Sequence, residues 1–432
     1  MSKKISGGLV LLILFCLSAG SFLPLGHAQA GAAATAQNAA LVSTTAAVLK
    51  ETSELRELSI LRAVKSGAQS RADIERMIIK NLDADTTPEE MRSAEVLLKA
   101  FGLAPKEFAY RSFLIKLLTE QVAGYYDPKA QQFYLADWIE LEGQKPVMAH
   151  ELTHALQDQH FNLKRFEKWP KGDSDAELAA HALIEGDATL AMTLYMARNP
   201  LIALAFIKSL GSQQLSTEHF KQAPRALRES LLFPYEQGSA WATQVYRRGG
   251  WQMVSQAFAK LPQSTEQILH AEKYFSYEAP QKLTLPEFKT VLGPTWKRSE
   301  TDVNGEWGYF LILDEFIGDE AESKKASEGW GGDRFAMYET GKPDEVFLAQ
   351  LTAWDTPQDA KEFFDAYAKR TAKRYTEAKE TKSTTEAGER INWQTPNGGV
   401  MMELRGARVA IFEGTLPKTN PNALFRMMWQ QR

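Results

Sequence analysis

The stretch that most constrains this chain is His150-Glu151-Leu152-Thr153-His154, set in a run from Pro146 to His160. Residues four apart share one face of a helix, so a helix here aims both imidazoles at a single point. Neutral imidazole is a good ligand for Zn²⁺, and two ligands on one rigid helix lower the entropy of assembling a site. Glu151 sits beside the first histidine, where it can hydrogen-bond a metal-bound water without binding the metal, the position of a general base in zinc-dependent hydrolysis. With seven histidines and 54 acids in 432 residues, the pattern arises by chance in roughly one such chain in a hundred, so its neighbourhood must carry weight too. Val147, Met148, Leu152, Ala155 and Leu156 supply the apolar faces of a buried helix, with no glycine or proline until well past His160.

A catalytic zinc needs three protein ligands and an open position, so a third ligand must lie downstream. The candidate is Glu185. Ser174 with Glu177 reads as a capping box, and the alanine- and leucine-rich sequence after it predicts a helix towards Ala197. A carboxylate in the middle of so apolar a helix is costly to bury unless it is paired or bound to a metal. His181, four residues earlier on the same face, is the rival ligand or a hydrogen-bonding partner of one.

These residues resemble the HExxH zinc metallopeptidases of the gluzincin branch, whose third ligand is a glutamate on a second helix. Glu185-Gly186-Asp187-Ala188 resembles the Glu-Gly-x-Ala that carries that ligand in several gluzincins. The resemblance covers about 121–275, with specific motifs only at 150–154 and 185–188. It implies Zn²⁺ held by His150, His154 and Glu185, Glu151 as general base, and a peptide or protein substrate. It also implies a Tyr or His downstream that is aimed at the developing oxyanion. Tyr235 and His270 are the candidates, with His270 favoured because so few histidines lie outside the motif. In such folds a strand ahead of the HExxH helix pairs with extended substrate, and 131–136 resembles it by position, which implies recognition by β-augmentation. Two features depart from the pattern. The spacing from His154 to Glu185 is longer than in thermolysin-like or aminopeptidase-type enzymes, and Asp187 follows the glutamate by two positions rather than four.

The expected fold is α+β: a mainly helical, zincin-like core with a β-hairpin before the HExxH helix, plus a C-terminal α+β domain. Lys3 and Lys4, an apolar run from Leu9 to Leu17 and Ala28-Gln29-Ala30 have the layout of a secretory signal peptide over 1–30. The expected location is therefore secreted or periplasmic, with no stable membrane span after cleavage. Cleavage would remove Cys16, the only cysteine, and with Lys3 and Lys4 gone would take the net charge from −4 to −6. Such a mildly acidic chain has no electrostatic reason to bind nucleic acid.

Residues 31–47 read as a flexible leader within an N-terminal helical region, 31–120, whose helices are expected at 46–64, 71–81, 87–101 and 105–120. The core region, 121–275, opens on a hairpin about Asp127-Pro128-Lys129-Ala130 and includes a core helix at Leu201–Leu210. The C-terminal region, 284–432, has tryptophans, alternating apolar runs and no histidine or cysteine, so no catalytic constellation is expected there. Two other functions fit the same residues: a zinc-bound but inactive module that engages a cell-envelope partner, and a zinc hydrolase of a non-peptide bond, because HExxH fixes the metal and not the substrate. The oligomeric state is not legible.

Overall fold

The computed structural model describes residues 31–138, 140–166, 169–211, 218–342, 345–385, 388–416 and 419–430. The signal peptide expected at 1–30 lies outside them. The fold is α+β, with two sheets among the described residues. Helix α1 (Gly31–Arg56) occupies the stretch expected to be a flexible leader. Alanine gives it helix propensity, and Leu41, Thr45, Val48 and Leu49 bury one face. It stops at Arg56, short of the expected Val64: Glu57 takes a left-handed φ of 59°, and the chain turns into an unexpected strand, β1 (Lys65–Gln69). Helices α2 (Arg71–Asp85) and α3 (Pro88–Phe101) start at the capping boxes Ser70/Asp73 and Thr87/Glu90, and α4 (Tyr110–Gln121) follows.

The hairpin forms as β2 (Gly124–Asp127) and β3 (Gln132–Ala136), with Asp127 Oδ1 accepting from Lys129 N and Ala130 N in the turn. The sheet order is β1-β3-β2, with β1 parallel to β3 and β2 antiparallel to it. This corrects the strand expected to pair with substrate: β3, which holds most of 131–136, is hydrogen-bonded on both sides and has no free edge.

Helices α5 (Leu141–Phe161), α6 (Ser174–Arg198), α7 (Pro200–Gly211), α8 (Glu218–Gln222), α9 (Arg225–Ala257), α10 (Thr265–Leu269), α11 (Ala271–Ser276) and α12 (Lys289–Leu292) come next. The cap of α6 is Asp173, which accepts from Ala176 N. Ser174 instead gives its N–H and hydroxyl to Asp302, so the predicted capping box does not form. Ser264, by contrast, caps α10 by accepting from Gln267 N. Helix α7 is not a core helix: Leu201, Leu204 and Ile207 are exposed along one stripe. Among the described residues no single helix is long and apolar enough to cross a membrane.

The C-terminal region carries β4 (Lys297–Asp302), α13 (Gly305–Ile317), α14 (Glu320–Ser327), β5 (Trp330–Glu339), β6 (Val346–Trp354), α15 (Pro357–Arg374), β7 (Lys379–Thr385), β8 (Gly388–Thr395), β9 (Gly398–Arg405), β10 (Arg408–Thr415) and α16 (Pro421–Trp429). Its seven strands form an antiparallel sheet in the order β4-β5-β6-β10-β9-β8-β7. Alternation sorts its two faces. Phe335, Met337, Leu348, Val409 and Ile411 join the same buried cluster as the helices of the first half, while Ala336, Tyr338, Phe347, Ala410 and Phe412 pack with Phe288, Trp296 and Phe425 on the other side. Helix α13 bridges the halves by packing on α6, α9 and α10.

Candidate metal centre

Helix α5 lies on α6, and α6 lies on α9. The second contact is tight because it is glycine on glycine: a Cβ on Gly186 would stand 2.2 Å from the Gly238 carbonyl oxygen. Gly186 therefore serves backbone packing, and this close approach sets Glu185 of α6 and Tyr235 of α9 against α5.

The structure brings His150, His154 and Glu185 together, all buried. His150 Nε2 is 3.0 Å from Glu185 Oε2, His154 Nε2 is 3.4 Å from the same oxygen, and the two Nε2 atoms are 3.1 Å apart. A tetrahedral zinc with bonds of 2.0–2.1 Å has ligand–ligand edges of about 3.3 Å, so the three atoms outline one face of such a site. The donor set of two imidazoles and one carboxylate suits Zn²⁺. The charges are strongly coupled. Burial alone would raise the Glu185 carboxyl, but His154 and His150 outweigh it and hold it well below the usual range. Burial opposes charge on His154, and Glu185 overcomes it, bringing the imidazole up to about 9. For His150 burial prevails and the shift is downward.

Glu151 stays out of this triangle. Its Oε2 accepts the backbone N–H of Tyr126 at 3.0 Å, from the side of the outer strand β2 that faces away from β3. Burial pushes its carboxyl up to about 8, into the range that suits proton transfer near neutrality.

Behind the ligands are two polar chains that the sequence reading missed. His154 Nδ1 is 2.9 Å from Gln157 Oε1, and the Gln157 amide donates to the Ile184 carbonyl and to Asp187 Oδ2. Asp187 is in turn clamped by Arg56 through two hydrogen bonds, Nε to Oδ1 at 2.5 Å and Nη2 to Oδ2 at 3.1 Å, with both side chains fully buried. Asp187 thus reaches the histidine through Gln157 and not directly. The other chain supports Glu151: Arg62 and the Tyr126 hydroxyl share Asp158 Oδ2, which fixes the strand whose N–H holds the carboxylate. Gln157 was legible, because i, i+3 spacing puts it on the face of His154. Arg56 was not, since 131 residues separate it from Asp187.

The two oxyanion-donor candidates part company. The Tyr235 ring stacks on His150, with centroids 5.9 Å apart and planes 26° from parallel. His270 sits between α10 and α11, with Nε2 2.9 Å from Glu306 Oε1 of α13 and no contact with the cluster. His181 lies one turn before Glu185 but touches none of the three ligand atoms. Its imidazole faces a cavity, and burial lowers its affinity for a proton. Among the described residues one other acidic group is close enough to hold an ion, Glu266, Glu278 and Asp355, but Lys273 fills it with an ammonium bonded to all three.

Residues 290–422, from α12 into α16, match a family described as a domain of unknown function (DUF8575). No curated protein and no solved structure matches the chain.

Proposed function

We propose that this protein is a zinc-dependent metallopeptidase with a zincin-like core. The reading rests above all on one observation: two imidazole nitrogens and a carboxylate oxygen converge at tetrahedral edge lengths, while the neighbouring Glu151 is held apart by the Tyr126 N–H. His150, His154 and Glu185 would hold Zn²⁺, which when bound supplies Lewis acidity toward the scissile carbonyl and lowers the pKa of a water.

Glu151 then takes a proton from that water and passes it to the nitrogen of the leaving amine, so one acid serves first as base and then as acid. Its raised proton affinity favours the first transfer. Tyr235, against His150, is better placed than His270 to donate its hydroxyl to the developing oxyanion. An extended substrate would run past β2, the outer strand that reaches Glu151, since β3 is paired on both sides. The role of the sheet domain is outside this reading.

Glu151→Gln tests it, because glutamine keeps the shape and the Tyr126 hydrogen bond but cannot accept the proton. The variant should retain zinc by metal analysis and lose about 10²–10⁴-fold in kcat on a casein or fluorogenic-peptide assay. Near-parental cleavage would remove Glu151 as the base. Zinc binding by both forms with cleavage by neither would favour the inactive binding module.

A further inference from the structure

A partly open cavity of about 70 Å³ lies where α3, α6, α9 and α13 meet. Leu178, Leu227, Trp307 and Leu311 give it apolar walls. Its titratable lining is Asp175, Glu177 and His181, and it contains no lysine or arginine. Asp175 is accounted for by hydrogen bonds from the backbone and hydroxyl of Thr265. The side chains of Glu177 and His181 make no hydrogen bond or ion pair with any described residue. Burial, and after it the charge of a second acid, Asp302, raise the Glu177 carboxyl to about 8. A carboxylate in an apolar-walled cavity, beside another acid and without a cation, is electrostatically incomplete.

The cavity adjoins the metal centre along two helices. Glu177, His181 and Glu185 follow one another at four-residue steps on one face of α6, so His181 is about 6 Å and Glu177 about 12 Å along the axis from Glu185. On α9 the lining residue Ser230 precedes Tyr235 by little more than a turn. We infer that this cavity is the pocket for a basic side chain, Lys or Arg, flanking the scissile bond, with Glu177 as its counter-charge. The inference rests on the peptidase reading. A long stem with a cationic head fits both features: its methylenes pack on the leucines and Trp307, and its head reaches the carboxylate two turns of α6 before Glu185.

The test is a cleavage profile of the zinc-loaded full chain on a proteome-derived peptide library, followed by matched peptides carrying Arg or its neutral isostere citrulline at the selected position. The expected result is a preference of at least tenfold in kcat/KM for Arg over citrulline, falling to within about twofold in Glu177→Gln and partly restored in Glu177→Asp. Equal cleavage of the Arg and citrulline peptides overturns the pocket and leaves the peptidase reading intact. A preference that survives Glu177→Gln also overturns it. If no peptide is cleaved the peptidase reading fails, and calorimetry with arginine amide then decides the cavity: Glu177-dependent binding keeps its cation chemistry, and no binding ends it.

Discussion

Two histidine–glutamate pairs among the described residues have nearly equal lengths, His150–Glu185 at 3.0 Å and His270–Glu306 at 2.9 Å, but only the first has the converging donors that a metal site needs. Around His150 a second imidazole converges on the same oxygen, the side chains are buried, and Gln157, Asp187 and Arg56 brace His154 from behind. His270 is one-third exposed and has no second histidine. Its partner Glu306 is beside Glu266 and Lys273, which belong to a separate ion-pair cluster. A short N···O distance therefore says little alone. What distinguishes a ligand set is the convergence of a third donor together with hydrogen bonds that fix the rings.

The sharpest way to break this comparison is to remove each acid. Glu185→Ala should purify largely without zinc, while Glu306→Gln should keep a full equivalent. Metal analysis showing the reverse, or zinc retained in both, would dissolve the distinction. Next in size is the oxyanion donor. Tyr235→Phe should lower kcat by about 10²–10³, whereas His270→Ala should stay within about threefold. If the histidine variant loses more than the tyrosine variant, the His270–Glu306 pair belongs to the catalytic apparatus after all.

The bracing of His154 is open to a gentler test. Gln157→Met removes the hydrogen bond to its ring but leaves the buried Arg56–Asp187 pair intact, and should weaken zinc affinity about 10–100-fold in a chelator competition. Affinity equal to the parent's would mean that packing alone orients the ring. The smallest effect concerns pH. The Glu306 hydrogen bond raises the His270 pKa above its ordinary 6.5, so the pair's contribution to stability is fully present below about 6.5 and is lost as pH rises through the folded value. Burial raises Glu306 as well, with the same sign. Partial exposure limits the effect to about 1 kcal/mol. Thermal melting of the parent should fall relative to His270→Gln from pH 6 to 8.5, and parallel curves would show the pair to be neutral.

Much of this site was legible from local rules. HExxH on an uninterrupted helix and a carboxylate stranded in an alanine-rich helix each concern groups within a few residues of one another, where helix geometry alone fixes who faces whom. The same rules failed where a distant partner competed. Ser174 had the sequence of a cap but was taken by Asp302, and Asp173 capped the helix instead. The 131–136 segment had the pattern of a strand, but β1, 67 residues upstream, closed its free side. Histidine scarcity favoured His270 over Tyr235, but helix packing placed Tyr235 on His150 and His270 on Glu306.

The amino acids alone show that two histidines and an acid lie on one helix, that a second helix carries a glutamate stranded among apolar residues, and that an α+β region follows. These are consequences of the 3.6- and two-residue periods and of the cost of burying charge. Long-range packing placed Glu185 and not His181 at the histidines, put Arg56 of the first helix behind His154 through Asp187 and Gln157, and left Glu177 facing an apolar-walled cavity. Those outcomes depend on contacts across tens to hundreds of residues. There the free energy of packing helix on helix, here through Gly186 against Gly238, chooses among side chains that local geometry treats alike.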